Sequence, residues 1–135
     1  MDRIKYLYLN SRDEFYRLRI SKIVYFESEG NYTTFVTANG IKGQLCMNLT
    51  KMQELLSASL KQEASIFARV GKRHIVNLNY IFHIAILRQK LVLSDGQNFS
   101  YTLNVSKEAL KSLRGIYISE TEGRRCRQTD DQPAE

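Results

Sequence analysis

Proline occurs once in this chain, at Pro133, so the first 132 residues can offer every backbone N–H to a β-ladder. Short runs of β-formers recur through that stretch, separated by turn-forming residues. Residues 5–10 (KYLYLN) and 14–20 (EFYRLRI) flank Asn10-Ser11-Arg12-Asp13, which carries turn chemistry. In the second run Tyr16, Leu18 and Ile20 share one face and Arg17 and Arg19 the other, the period of a half-buried strand. Residues 23–29 form a third run. Residues 32–37 and 41–47 flank Ala38-Asn39-Gly40, and Asn-Gly between β-formers predicts a hairpin. Residues 90–93 and 98–104 flank Ser94-Asp95-Gly96, a second hairpin of the same kind.

Two segments change to a helical period. After Asn48, a favoured N-cap residue, Leu49, Met52, Leu55, Leu56 and Leu60 fall on one stripe. Near the end, Ser106 can cap the segment SKEALKSLRG, with Glu108 at the positive end of its dipole. Leu110 and Leu113 face inward, and Gly115 is expected to close the helix in a left-handed conformation. The expected fold is mainly antiparallel β, with one central helix and one C-terminal helix.

Charge divides the chain. Residues 1–118 hold 17 basic and nine acidic side chains, a net of +8, and are expected to form one domain. Residues 119–135 hold three arginines and five acids, a net of −2, and almost nothing apolar, so they are expected to be a disordered polar tail. Inside the body no acid occurs between Glu63 and Asp95, whereas Arg69, Lys72, Arg73, Arg88 and Lys90 all do. A one-signed stretch of that kind suits a phosphate-facing surface as well as a solvated one.

Other classes find little support. No window approaches 18 consecutive apolar residues, and the opening MDRIKYLYLN lacks an apolar leader core, so no membrane span is expected and a cytoplasmic location is. Cys46, in a predicted strand between Leu45 and Met47, is expected to be a small buried thiol; Cys126 lies in the tail. No CxxC, HExxH, GxSxG or GxxxxGK[ST] spacing occurs. Glu27 and Glu29 share a strand face, where a solvated strand end is the ordinary explanation. No enzyme, metal site or cofactor is therefore expected.

The most informative stretch is residues 67–81, FARVGKRHIVNLNYI. A polar, basic loop pivots at Gly71, with Phe67 and Val70 anchoring it before and Ile75, Val76, Leu78 and Ile81 after. Asn77, between Val76 and Leu78, is expected to cap a short turn at residues 78–80. Arg69 can face a phosphate or pair with Glu27 or Glu29 to pin the loop.

Arg69-Val70, a short polar loop and Ile75-Val76-Asn77-Leu78-x-Tyr80-Ile81 together resemble the central signature of LytTR DNA-binding domains. Residues 23–33, IVYFESEGNYT, resemble that family's first signature, a strand running into a Gly-Asn-Tyr loop. Leu93-Ser94-Asp95-Gly96 and Val105-Ser106-Lys107 resemble its Asp-Gly turn and the segment before its last helix. The order is right, and a leucine-rich helix separates the first two signatures. The resemblance covers roughly residues 3 to 115.

It implies a fold of small stacked antiparallel sheets and a bacterial transcription regulator that inserts loops into successive major grooves of duplex DNA. Carried onto this chain, Asn31, Tyr32 and Thr33 occupy the first loop, Gly71, Lys72 and Arg73 the second, and Lys107 the third. The family usually has His at the position of Gly71, often Ser at Arg73, and Arg at Lys107. Arg73 brings a two-pronged donor that suits guanine O6 and N7, which Ser does not supply. Family members usually carry a receiver domain, and this chain opens directly on the DNA-binding part, as a stand-alone regulator or an excised domain would.

The expectation is therefore sequence-specific duplex binding. Arg69, Lys72 and Lys107, with Lys42 or Arg88, would meet phosphates, and Arg73, Asn31 and Thr33 would read bases. The resemblance leaves room for a homodimer on repeated sites and for a separate sensor protein. Two alternatives stand beside it. Eight Tyr and six Phe suit a single-strand or RNA-binding β module, and the edge of the first strand suits a protein-interaction module.

Overall fold

Ile23, Val24, Tyr25 and Phe26 are four consecutive large side chains, and all four are buried. Strict alternation would send two to each face of a sheet, so both faces of that strand need cover. The computed structural model, which describes residues 5–118, supplies it. The expected tail, residues 119–135, lies outside the described residues.

The strands are β1 (Tyr6–Ser11), β2 (Glu14–Arg19), β3 (Ile23–Glu29), β4 (Tyr32–Thr37), β5 (Lys42–Leu45), β6 (Phe67–Val70), β7 (His74–Asn77), β8 (Ile81–Ala85), β9 (Lys90–Ser94) and β10 (Ser100–Asn104). Helix α1 (Leu49–Leu60) follows β5, and α2 covers residues 107–118. A central sheet runs β5-β4-β3-β7-β6, a second β10-β9-β8, and β1-β2 forms a hairpin by itself. Every pairing is antiparallel. The fold is thus mainly β with small antiparallel sheets, a central helix and a C-terminal helix.

The register of β3 against β4 steps between Ile23, opposite Thr37, and Tyr25, opposite Val36. This bulge sends Ile23 and Phe26 to one core and Val24 and Tyr25 to the other. The first core joins β1-β2 and α1 to one face of the central sheet through Leu7, Leu9, Phe35, Met52 and Leu56. The second joins the three-stranded sheet and α2 to the opposite face through Val76, Leu91, Leu103, Leu110 and Leu113. Each such aliphatic side chain contributes about 1.5–3 kcal/mol on full burial.

Helix α1 starts as its cap predicts. Asn48 is extended, and its side-chain oxygen accepts from the Lys51 N–H at 2.8 Å. Leu49, Met52, Leu56 and Leu60 are buried, with Leu55 packed at the margin. Two local expectations fail. Gly115 does not stop α2, which continues to residue 118 without a left-handed residue at that point. Tyr117 explains the extension: its hydroxyl donates to the Leu78 carbonyl at 2.7 Å. Cys46 is exposed, because β5 ends at Leu45 and the chain turns toward α1.

Gly43 has a steric role. A Cβ built there would lie 2.5 and 2.6 Å from the ring of Phe35 and 3.2 Å from Tyr16. Phe35 is fully buried and meets Tyr16 edge-on, with centroids 4.9 Å apart. Gly43→Ala should therefore displace the Phe35 ring and cost about 1–3 kcal/mol, an overpacking penalty. A urea melt checks this; an unchanged midpoint would mean that the ring moves aside without cost.

Candidate nucleic-acid interface

Strand β7 begins beside the end of β3, because Glu27 pairs with His74 in an antiparallel register. The turn after β3 and the turn before β7 therefore emerge at one end of the central sheet. The Ser28 N–H donates to the Arg73 carbonyl at 2.9 Å, which ties the two together. Gly30 and Gly71 supply the left-handed conformations that these turns need, at φ +63° and +67°. The start of α2 packs alongside, since a Cβ on Gly71 would lie 3.7 Å from that of Ala109. Ser106 caps α2, its hydroxyl oxygen accepting from the Ala109 N–H at 3.2 Å.

Between the β6-β7 hairpin and α2 lies an open cleft of ≈ 710 Å³. Lys72 and Arg73 line it from one side, Ser106 and Ser112 from the other, and Glu108 is its one acid. Arg88 sits in the turn between β8 and β9, next to the segment entering α2: the Gln89 carbonyl accepts from the Val105 N–H at 3.1 Å. Lys42 is elsewhere. It pairs with Val36, near the Asn39-Gly40 turn at the opposite end of β4.

The expected contact residues divide by environment. Asn31, Tyr32, Lys72, Arg73 and Lys107 are exposed. Thr33 is not: it is fully buried, and its hydroxyl donates to the Met47 carbonyl at 2.8 Å, which braces the first loop from beneath. Arg69 makes no ion pair with Glu27 or Glu29. It lies on the α1 side of the sheet, where one guanidinium nitrogen donates to Gln53 Oε1 at 3.0 Å and the other to the Lys72 carbonyl at 3.1 Å. It thus fastens the Gly71 turn to α1. Asn77 is fully buried. Its amide donates to the Ile23 carbonyl at 2.8 Å, and its oxygen accepts from the Asn79 N–H at 2.9 Å, capping the 3-10 turn Leu78–Tyr80.

Sequence reasoning took Glu27 for a solvated strand end or a partner of Arg69 and gave His74 no role; instead Glu27 is mostly buried and meets His74 and Arg73. Glu29 is held by Thr34 at 3.0 Å and Gln44 at 2.7 Å, while Glu27 turns to its neighbour strand. There His74 Nε2 approaches Glu27 Oε2 at 3.2 Å, and Arg73 Nη2 approaches the same oxygen at 3.6 Å. Burial lowers the His74 pKa from its ordinary value; Glu27 opposes that shift, and the Arg73 charge adds to it. The imidazole is accordingly neutral at pH 7 and donates from Nε2, since a carboxylate only accepts. Burial likewise pushes the Tyr25 hydroxyl up to about 12, assisted by Glu27. No cation occurs between Lys22 and Lys42, so nothing near Glu27 in the sequence signalled its partners.

Among the described residues no cluster of three or more His, Cys, Asp or Glu is placed to hold a metal, and no helix is long and apolar enough to cross a membrane. The model of the LytTr DNA-binding domain family matches residues 13–117. Two heme-containing CO-sensing transcriptional regulators of Paraburkholderia xenovorans (strain LB400) are similar in sequence. RcoM 1 is 32% identical over 102 residues, covering 73% of this chain and 36% of the regulator. RcoM 2 is 31% identical over 100 residues, covering 72% and 35%. The chain thus matches about a third of the length of these relatives. A LytTr DNA-binding domain of a Bacillus cereus protein described as a methyl-accepting/DNA response regulator superposes with a TM-score of 0.58. It covers 83% of this chain and 95% of that domain at 21% identity, a likeness of fold.

The lowered His74 pKa has a consequence for stability. Below the ordinary histidine value of 6.5 the unfolded chain takes up a proton that the folded imidazole resists. Stability from this site is complete above that pH and should decline as pH falls beneath it. Urea midpoints taken from about pH 7.5 down to about pH 5.5 should fall less in His74→Gln than in the parent. Parallel declines in the two proteins would show that His74 does not drive the effect.

Proposed function

The chain belongs to the LytTR family of DNA-binding domains, and from that premise we propose that it binds duplex DNA sequence-specifically, as a bacterial transcription regulator, by inserting loops into the major groove. The observation that carries this reading is the joining of three exposed segments at one sheet end: Asn31-Tyr32, Gly71-Lys72-Arg73 and Lys107. Lys72 and Lys107 make no side-chain hydrogen bond or ion pair among the described residues and are suited to phosphates, as is Arg88, in the turn next to the segment entering α2. Arg73 and Asn31 are suited to base edges, because each can offer two hydrogen-bonding groups in a plane. Thr33, Arg69 and Asn77 are suited to support, since their polar groups already face protein. A regulator of this kind works where the DNA is, in the cytoplasm, and the proposed domain spans residues 1–118.

A second reading, protein interaction, has one observation in its favour. The outer face of β1-β2 exposes Tyr8 (56%) and Phe15 (61%), stacked with centroids 6.0 Å apart. A second copy on a repeated site, or a separate sensor protein, would find an apolar foothold there. Aromatic exposure of that kind also suits a single strand, so duplex and single-stranded competitors belong in the binding assay.

Salt separates the readings. About three phosphate contacts from Lys72, Lys107 and Arg88 should give a slope of log affinity against log salt near −2.7. Anisotropy with a duplex selected from a random pool measures it, and a slope shallower than about −1 would remove the phosphate-tracking interface.

Arg73 and Asn77, four residues apart, should behave oppositely. Arg73→Ala should leave the urea midpoint unchanged yet cost about 1–3 kcal/mol on the selected duplex, and less on a scrambled one. Asn77→Ala should lose about 1–3 kcal/mol of stability, through an orphaned Ile23 carbonyl and Asn79 N–H, and weaken both duplexes together. Equal losses on both duplexes for Arg73→Ala would make it a phosphate clamp only.

A further inference from the structure

Arg73 is held by one corner. Its side chain is 64% exposed, and only Nη2 is engaged, at 3.5 Å from the Ser28 carbonyl and 3.6 Å from Glu27 Oε2. Nε and Nη1 make no hydrogen bond among the described residues, so most of the guanidinium's donors are open. The acid that holds the corner is itself held. Glu27 lies on β3, in the middle of the central sheet, with its side chain only 26% exposed. The same Oε2 receives His74 Nε2 at 3.2 Å, and His74 is buried against the edge of the Tyr25 ring, centroids 6.2 Å apart. Glu27 is thus anchored from the core side and reaches Arg73 from below.

A carboxylate at this place opposes affinity for DNA, because it partly neutralises a cation and repels phosphates. Nor does it add much stability, since a half-exposed pair at 3.6 Å is weak. What it can add is direction. A guanine is read by two parallel donors in one plane, and an arginine that rotates freely loses entropy when it adopts that plane. A tether through one Nη2 hydrogen, shared between the two acceptors, limits that rotation beforehand and leaves the other Nη2 hydrogen and its neighbouring N–H as a parallel donor pair.

We propose that Glu27 is a positioning residue for Arg73: it orients the guanidinium for a base edge and thereby increases discrimination between DNA sequences while lowering affinity for DNA in general. The proposal rests on the reading of Arg73 as a base-contacting residue and adds the group that aims it. Specific binding benefits from a prealigned donor pair, whereas nonspecific binding needs only a charge, so the two affinities should respond to Glu27 in opposite directions.

The test is a double-mutant cycle in the full 135-residue chain, with Glu27→Gln, Arg73→Ala and the double variant. Each is titrated with the selected duplex and with its scrambled counterpart, and each is melted in urea. Glu27→Gln is expected to weaken the selected duplex about 5-fold and to tighten the scrambled one about 2-fold, reducing discrimination about 10-fold. In the Arg73→Ala background the same change should leave discrimination unaltered. Glu27→Asp, which keeps the charge and shortens the reach, should fall between. If Glu27→Gln tightens both duplexes equally, and does so with or without Arg73, Glu27 is only a negative charge and the proposal falls. If it weakens both in step with a lowered urea midpoint, Glu27 is structural and the proposal also falls. Should Arg73→Ala alone leave discrimination unaltered, the base-reading role fails and Glu27 has nothing to aim. That arm distinguishes failure of the function from failure of the positioning.

Discussion

A strand buried on both faces must satisfy two cores with one backbone, and β3 does so through its bulge. Without the step between Ile23 and Tyr25, regular alternation would put Ile23 and Tyr25 on one face and Val24 and Phe26 on the other. With it, Ile23 and Phe26 serve the core under α1 and β1-β2, while Val24 and Tyr25 serve the core under α2 and the three-stranded sheet. A bulge disrupts the ladder locally, and here polar groups compensate. The Ile23 carbonyl accepts from the buried Asn77 amide, and the Lys22 carbonyl accepts from the Ala38 N–H. Both layers of the molecule hang from this stretch, so Asn77 is a core residue despite its polarity.

The consequence for the surface is support at the far end of the same strand. Beyond Phe26, the face that carries Tyr25 continues as Glu27, which meets His74 across the ladder. The turns that follow are thus extensions of paired strands whose roots lie in the core. Thr33 braces the first turn against the Met47 carbonyl, and Arg69 braces the second against α1. Exposed residues such as Asn31, Lys72 and Arg73 are then presented by a scaffold that does not need the ligand to become ordered. On the proposed reading, that arrangement reduces the entropy lost on binding.

Legibility in the sequence followed locality. The β4-β5 and β9-β10 hairpins, the Asn48 cap, the stripe of α1 and the turn at Asn77 each depend on a few adjacent residues, and each could be read directly. The hairpin β6-β7 was harder. Its residues read as a basic loop between apolar anchors, although those anchors are strands and β7 sits at the heart of the central sheet. Four-residue strands are too short to show a period. Cys46 and Gly115 misled for a related reason, since the end of β5 and the length of α2 depend on contacts made from far along the chain. Glu27 could not be assigned from spacing, because its partner His74 lies 47 positions away. Three loops meeting at one surface could be anticipated only through the family resemblance.

The cations of this surface differ in how much freedom they keep, and that difference bears on recognition. Arg69 has both terminal nitrogens engaged with protein, Arg73 has one corner held, and Lys72 and Lys107 have no side-chain hydrogen bond or ion pair among the described residues. A flexible ammonium follows a phosphate wherever the backbone runs, so the lysines suit attraction that tolerates any sequence. A planar guanidinium with one edge restrained suits a single geometry, and its contribution vanishes where the base does not match. Two acids, Glu27 and Glu108, lie among these cations and moderate the general attraction. Lower general attraction raises the relative weight of the few contacts that depend on sequence. On the proposed reading of this surface, its acids favour selectivity over strength.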